Sequence, residues 1–198
     1  MKLLIAHATT DGMTARVAER IAEVVRITGS TADVVDAAVL PRQLEPSQYD
    51  GILVGASMHV QGYQRSAKRF VRRYHDALRS RPSGFFSVCL SILSKNSEER
   101  CESRRIAESF PTRLGWKPDV LEVVAGALMF SRYGVLRRMA MTQIAKEMGS
   151  VDTTRDTIFT DWDSVERFAR KFVGGIVERP ENATATSPIR GSRRVEES

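Results

Sequence analysis

The run Thr9-Thr10-Asp11-Gly12-Met13-Thr14 gathers hydroxyls, a carboxylate and a glycine directly after the apolar stretch Lys2 to Ala8. Short hydroxyl donors around a glycine, where an apolar run gives way to helical periodicity, are what an anion site needs. Loop amides and the first helical N–H groups converge there, and the helix dipole adds positive potential. Lys and Arg are absent between Lys2 and Arg16, so a phosphate bound here would be held mostly by neutral donors. Neither G-x-x-x-x-G-K-[ST] nor G-x-G-x-x-G occurs, which separates the stretch from a nucleoside-triphosphate loop and a dinucleotide fingerprint. The plainer alternative is a capped helix after an edge strand.

Positioning such a loop takes an alternation of strands and helices, and the chain has one. Lys2 to Ala8 reads as a buried parallel strand, and Val17, Ile21, Val24 and Val25 recur behind it at helical spacing. Gly29 stops that helix, and Thr31 to Asp36 alternates as a second strand. Gly51 to Ala56 forms a third strand that opens into Ser57-Met58-His59-Val60-Gln61-Gly62-Tyr63. A helix over about 65–78 turns Ala67, Phe70, Val71 and Tyr74 inward and its arginines outward. Gly84 to Leu90 is the fourth strand, opening into Ser91 to Asn96; Glu98 to Leu114 is a surface-charged helix, and Val120 to Leu128 is the fifth strand. This spacing predicts a doubly wound five-stranded parallel α/β sheet, in which loops at the carboxyl ends of central strands line the ligand crevice.

The last helix is delayed. The segment between Ala127 and Asp161 is too long for an ordinary connection, while Asp161-Trp162-Asp163-Ser164 starts a helix whose Val165, Phe168, Ala169, Phe172 and Val173 cover the sheet. An insertion over 128–150 is expected to hold its own helix, roughly 135–148. Arg137 falls inside that helix's apolar face, among Leu136, Ala140, Met141, Ile144, Ala145 and Met148. A guanidinium there must snorkel, pair with Glu147 or another acid, or meet an acidic ligand or lipid headgroup. The simpler alternative packs the helix on the domain with Arg137 at its margin. Residues 1–177 read as one domain, and 178–198, mixing Pro, Thr, Ser, Gly and charges without a period, as a disordered tail.

A chain of 198 residues with 42% hydrophobic content fills one core well. Its net charge of +6 and pI near 9.7 fit nucleic acid, an anionic membrane surface or an acidic small molecule alike. The basic residues lack the aromatic interleaving of a single-strand binding platform, and no specific nucleic-acid motif occurs. Cys89 and Cys101 are too far apart for a redox pair and too few for a disulfide scaffold or zinc cluster, so reduced thiols in a cytoplasmic protein without a metal are expected. No leader and no apolar run of spanning length precede or interrupt the pattern.

Three segments carry a family resemblance: Thr9 to Thr14 as a phosphate loop, Gly55-Ala56-Ser57 as a first flavin-ring loop and Ser87 to Ser91 as a second. With them the chain resembles flavodoxin-type proteins over about residues 1–177. Val124-Ala125-Gly126-Ala127-Leu128, Arg132-Tyr133, Asp152-Thr153-Thr154-Arg155 and Thr160-Asp161-Trp162 narrow the resemblance to the menaquinone-dependent protoporphyrinogen IX dehydrogenases of haem synthesis. The resemblance implies a flavodoxin-like fold with a helical insertion before the last helix, and one non-covalent FMN. The residues it places around FMN are Thr9, Thr10, Asp11, Gly12, Met13, Thr14, Ala56, Ser57, Met58, His59, Ser87, Val88, Cys89, Leu90 and Ser91. It further implies oxidation of protoporphyrinogen IX, electron delivery to menaquinone or another quinone, and a cytoplasmic protein peripheral on the inner face of the membrane. It leaves room for a homo-oligomer. The redox centre is then the flavin, so no side chain is assigned as catalytic. Arg137, from its place in an apolar face, and Arg132 and His59 are the candidates for meeting substrate.

Two departures stand out. Ala8 replaces a hydroxyl that many flavodoxins carry, and the loop after the third strand begins with Met58, His59 and Val60 rather than a large aromatic. The alternative reading is a soluble FMN-dependent quinone reductase or electron-transfer flavodoxin fed by a nicotinamide or protein donor. A basic nucleic-acid-binding α/β protein is the remaining class, without a motif to support it.

Overall fold

The computed structural model describes residues 1–59, 62–134, 138, 139, 141, 142, 145 and 152–178. Its strands are β1 (Lys2–Ala8), β2 (Thr31–Asp36), β3 (Gly51–His59), β4 (Gly62–Tyr63), β5 (Ser83–Cys89) and β6 (Val120–Ala125). They form one sheet in the order β2-β1-β3-β5-β6, with every neighbour along that path parallel. Only β4 departs, pairing antiparallel with the end of β3 as Met58↔Tyr63 and His59↔Gly62. Leaving aside the short β4, this is the 2-1-3-4-5 order of a flavodoxin-like doubly wound sheet.

The sheet is covered on both faces because its strands are apolar on both. Leu3, Ile5, Leu53 and Phe86 face one layer, where Val17, Ile21 and Val25 of α1 (Met13–Ile27) meet them. Leu4, Ala6, Ile52, Val54 and Phe85 face the other. There α2 (Arg65–Arg73) contributes Ala67, Phe70 and Val71, α3 (His75–Ser80) Leu78, and α4 (Ser97–Thr112) Ala107 and Phe110. The last helix, α5 (Trp162–Val177), joins α1 on the first layer through Phe168 and Phe172, and Arg20 of α1 pairs with Glu166 of α5.

Two elements differ from the pattern read in the sequence. The helix expected over 65–78 breaks at Tyr74, whose φ of −113° leaves helical geometry while its ring packs 5.0 Å from Phe70. The fifth strand stops at Ala125. At Gly126 the chain turns, its N–H donating to the Cys89 carbonyl at 3.1 Å and its own carbonyl accepting from Phe159 N–H at 3.1 Å. β7 (Ala127–Leu128) then pairs antiparallel with β8 (Thr157–Ile158), a clasp at the neck of the insertion. Within it Arg138, Met139, Met141, Thr142 and Ala145 are helical, and Ala145 is buried in the first layer. Arg137, most of the helix expected over 135–148 and residues 179–198 lie outside the described residues. No described helix is long and apolar enough to cross a membrane.

Gly55 shows how tightly the centre is filled, because a Cβ added there would overlap the buried Phe86 ring. Gly55→Ala should therefore cost about 1–3 kcal/mol by overpacking, read as a lower urea midpoint, and Gly55→Ala/Phe86→Leu should recover part of the loss. An unchanged midpoint for the single variant would contradict this packing.

Candidate functional site

The chain leaves β1 at Ala8 and enters α1 at Met13 through a turn that only Gly12 can complete, at φ +87°. Gly12 is also the N-cap, so no side chain caps α1, as none caps α2 or α3, whereas Asn96 and Asp161 cap α4 and α5. The N–H groups of the first α1 turn thus lack the usual side-chain acceptor. Thr9 Oγ1 accepts from Gly12 N–H at 2.9 Å and shapes the turn. Thr14 is fully buried, yet its Oγ1 has no hydrogen-bond partner. A hydroxyl buried unpaired costs about 1–3 kcal/mol, and helical threonines ordinarily relieve it by bonding a carbonyl of the preceding turn. An uncapped helix start and an unsatisfied hydroxyl beside it both fit an anion, such as a flavin phosphate, and nothing in the loop conflicts with one.

The loop opens into a cavity of about 650 Å³, within the range of cofactor sites. Thr9, Asp11, Met13 and Thr14 line its first wall, Ser57, Met58 and His59 the second, and Val88, Cys89, Leu90 and Ser91 the third. Three loops at the carboxyl ends of β1, β3 and β5 therefore converge. Four residues expected with them stand back from the cavity lining: Thr10, Gly12, Ala56 and Ser87. Ala56 belongs to the second-layer core, and Ser87 Oγ is 2.8 Å from Tyr63 Oη in a buried bond. Tyr63 packs against Phe85 and Phe110, with ring centroids 5.5 and 4.4 Å away, and its burial pushes the phenol pKa well up. Thr10 Oγ1 accepts from Gln64 Nε2 at 3.2 Å, and the same amide bonds Ser57 Oγ, tying the first wall to the second.

The structure adds residues that the sequence pattern did not single out. Glu99, Glu102, Ser103 and Ile106 line the cavity from one face of α4. Their i, i+3, i+4, i+7 spacing is legible in the sequence, but nothing in it says which face looks onto a ligand. Ser103 Oγ donates to Ser91 Oγ at 2.7 Å and fixes this wall to the β5 loop. Tyr133 and Met141 come from the insertion. Tyr133 is buried, with its hydroxyl accepting from Met129 N–H at 2.9 Å, so the large ring in the cavity wall comes from the insertion rather than from the β3 loop. His59 Nε2 lies 3.1 Å from Ser57 Oγ at the rim. Burial raises the Cys89 thiol pKa, which favours the protonated thiol in the wall.

Charge at the loop differs from what its own residues imply. Arg132 reaches back across 121 positions and donates from its guanidinium to the Asp11 carbonyl at 3.0 Å, over the face of Gly12 where a Cβ would overlap it. The loop therefore has a cation, supplied by the insertion. Asp156 holds the turn that carries Arg132, accepting from Ser131 N–H at 2.8 Å and from Ser131 Oγ–H at 2.6 Å. Those bonds, helped by Arg132 and Arg16, keep the Asp156 carboxyl below its ordinary pKa, so this anchor is ionised at neutral pH and is lost only as acid protonates it. Of the three residues expected to meet substrate, Arg132 sits on the loop, His59 on the rim, and Arg137 outside the described residues.

The profile of the family described as Flavodoxin domain matches residues 4–155. A protoporphyrinogen IX dehydrogenase [quinone] of Escherichia coli K12 is 33% identical over 184 residues, covering 91% of this chain and 98% of its own. A Leishmania major protein of the same name is 29% identical over 197 residues, covering 94% of this chain and 82% of its own. Among solved structures, a Streptococcus pneumoniae TIGR4 flavodoxin superposes with a TM-score of 0.52 at 13% identity, covering 88% of this chain and 99% of that one, a likeness of fold.

Two substitutions test the loop. Thr14→Val removes the unsatisfied hydroxyl at constant shape, so the apoprotein should be at least as stable to urea while FMN binds roughly tenfold or more weakly, the loss of one hydrogen bond to a charged group. Unchanged FMN affinity would remove Thr14 from the site. Arg132→Ala should weaken FMN about fivefold at low ionic strength, with the difference shrinking in high salt, as titration under both conditions would read.

Proposed function

The chain belongs to the flavodoxin-domain family, and from that premise we propose that it is an FMN-dependent oxidoreductase that converts protoporphyrinogen IX to protoporphyrin IX and passes the electrons to a membrane quinone, menaquinone by resemblance. The observation that carries the cofactor is the buried, unpaired Thr14 hydroxyl at an uncapped helix start, opening into a cavity of about 650 Å³. The substrate rests on the 33% identity with the E. coli dehydrogenase over nearly its whole length.

The residues present divide the work. Thr14 Oγ1 and the first-turn N–H groups of α1 would hold the FMN phosphate, with Arg132 fixing the loop and adding positive charge. Ser57 to His59 and Val88 to Ser91 would flank the ring, while Tyr133 and Met141 close the remaining side and keep water away. When bound, FMN accepts two electrons at a time and releases them to a quinone, so the six-electron oxidation of a porphyrinogen takes repeated cycles. The walls suit a broad apolar macrocycle, since Met58, Val88, Leu90, Tyr133 and Met141 all present apolar surface to the cavity. His59, held by Ser57, would meet substrate and could take a proton released from it. Arg137, outside the described residues, remains the proposed partner of a propionate because the sequence periodicity sets it within an apolar pattern. A lipid quinone as acceptor calls for a protein at the membrane surface, and the resemblance puts it on the cytoplasmic, inner face.

Anaerobic mixing of the FMN-loaded protein with protoporphyrinogen IX should bleach the flavin absorbance. Adding menaquinone should restore it as porphyrin fluorescence rises. Bleaching by reduced nicotinamide, with none by the porphyrinogen, would replace this reading with a quinone reductase.

A further inference from the structure

Positive charge is densest over residues 65–81. Residues 65–81 hold seven Arg and Lys against the single carboxylate of Asp76, six net positive charges, which is the net charge of the whole chain; the remaining residues hold 23 cations and 23 carboxylates. Five of the seven form one stripe on α2. Arg65, Lys68, Arg69, Arg72 and Arg73 recur at i, i+3, i+4, i+7 and i+8, and these five alone line a groove on the helix's outer face. None of them makes an ion pair among the described residues. Elsewhere arginines do pair: Arg20 with Glu23 and Glu166, Arg105 with Glu102, Arg155 with Asp152, and Arg167 with Asp161. Like charges at helical spacing repel, so an unpaired stripe is a cost to α2 that an external anion would offset.

The partner's chemistry follows from what the stripe lacks. The apolar residues of α2, Ala67, Phe70 and Val71, are all buried, and none of the exposed large hydrophobic residues lies on it. A protein interface is organised around desolvated apolar or aromatic anchors, and single-stranded nucleic acid around stacking rings; this face offers neither. Several cations on one helix face match a dispersed array of phosphates instead. The stripe also begins beside the crevice, because Gln64, immediately before α2, bonds Ser57 of the cavity wall and Thr10 of the loop after β1.

We propose that the outer face of α2 is the docking surface of this protein on anionic phospholipid, bringing the cavity mouth to the bilayer. Its purpose, though not its charge chemistry, rests on the reading of a membrane quinone as electron acceptor. The docking face is then the helix that follows β4, rather than the insertion.

The test is co-sedimentation of the full FMN-loaded chain with phosphatidylcholine vesicles, with and without phosphatidylglycerol, at low salt. The parent should pellet only with the anionic vesicles and be released by salt. Arg69→Gln/Arg72→Gln should lower its partitioning by roughly tenfold or more, at about fivefold per arginine removed, with an unchanged circular dichroism spectrum. Turnover with a water-soluble short-chain quinone should be unchanged in that variant, whereas turnover with a vesicle-embedded long-chain quinone should fall. Sedimentation of the double variant like the parent, equal binding to neutral vesicles, or tighter binding to an oligonucleotide than to vesicles would each overturn the proposal. Loss of vesicle binding through Arg138→Gln with α2 intact would move the docking face to the insertion and overturn it too. Vesicle docking through α2 by a protein that fails to oxidise porphyrinogen would sink the functional reading and leave the docking surface standing.

Discussion

β1 sits between β2 and β3, and the helices that follow β1 and β3 leave the sheet toward opposite layers, α1 to one and α2 to the other. Their first residues diverge, and a crevice opens at the carboxyl ends of the two strands. The rest of the structure depends on that divergence. Both faces of the sheet are closed by core, so the polar backbone at these strand ends is where a ligand can approach the chain. Gln64 spans the gap through Thr10 and Ser57, and Ser103 secures the α4 wall to the β5 loop. The cavity shape is set by these cross-links as much as by the loops themselves.

Local rules that hold elsewhere, at α4, α5 and Ser83, are relaxed at this crevice. α4 and α5 begin with side-chain caps, and Ser83, buried in the second layer, donates to the Leu78 carbonyl and accepts from Trp116 Nε1–H. At the crevice α1 begins uncapped, the buried Thr14 hydroxyl is unpaired, and Gln64 Oε1 is buried without a partner. Among the described residues, two of the three side-chain polar atoms buried without a partner, Thr14 Oγ1 and Gln64 Oε1, lie at this crevice, and the third is His7 Nδ1 of β1; the pair at the crevice marks a place where stability was exchanged for binding.

Most of the frame was legible because it is written in local periodicity. The apolar run of β1, the stripe of α1 and the glycine between them specify strand, helix and loop within 27 residues. Tertiary direction was not legible. Tyr63 reads as a residue of the ring loop, but the β3–β4 pairing turns it into the core against Phe85 and Phe110, and Ser87 follows it there as hydrogen-bond partner. The break at Tyr74 and the two-residue β7–β8 clasp depend on contacts between distant segments, Tyr74 with Leu44 and Ala127 with Ile158, which no window of neighbouring residues contains. Arg132 is the sharpest case. Its loop lacks a cation only so long as the 121 residues between them are treated as distance.

That long-range contact changes the electrostatics of the whole cavity. At one end the first turn of α1 presents positive potential, reinforced by the Arg132 guanidinium on the Asp11 carbonyl. The α4 wall carries Glu99 and Glu102, the latter paired with Arg105, and Glu99, in the first turn of α4, is favoured as an anion by that helix's dipole. Two helix starts thus face one cavity with opposite outcomes: α4 meets its dipole with its own acids, while α1, with no acidic residue in its first turn, leaves that role to a ligand. A molecule with one anionic end has a single favourable orientation here, charged group toward α1 and apolar body between the β3 and β5 loops. Orientation is therefore set by charge before any shape-specific contact is made, and the apolar walls of Met58, Leu90, Tyr133 and Met141 need only fit a ligand that already points the right way.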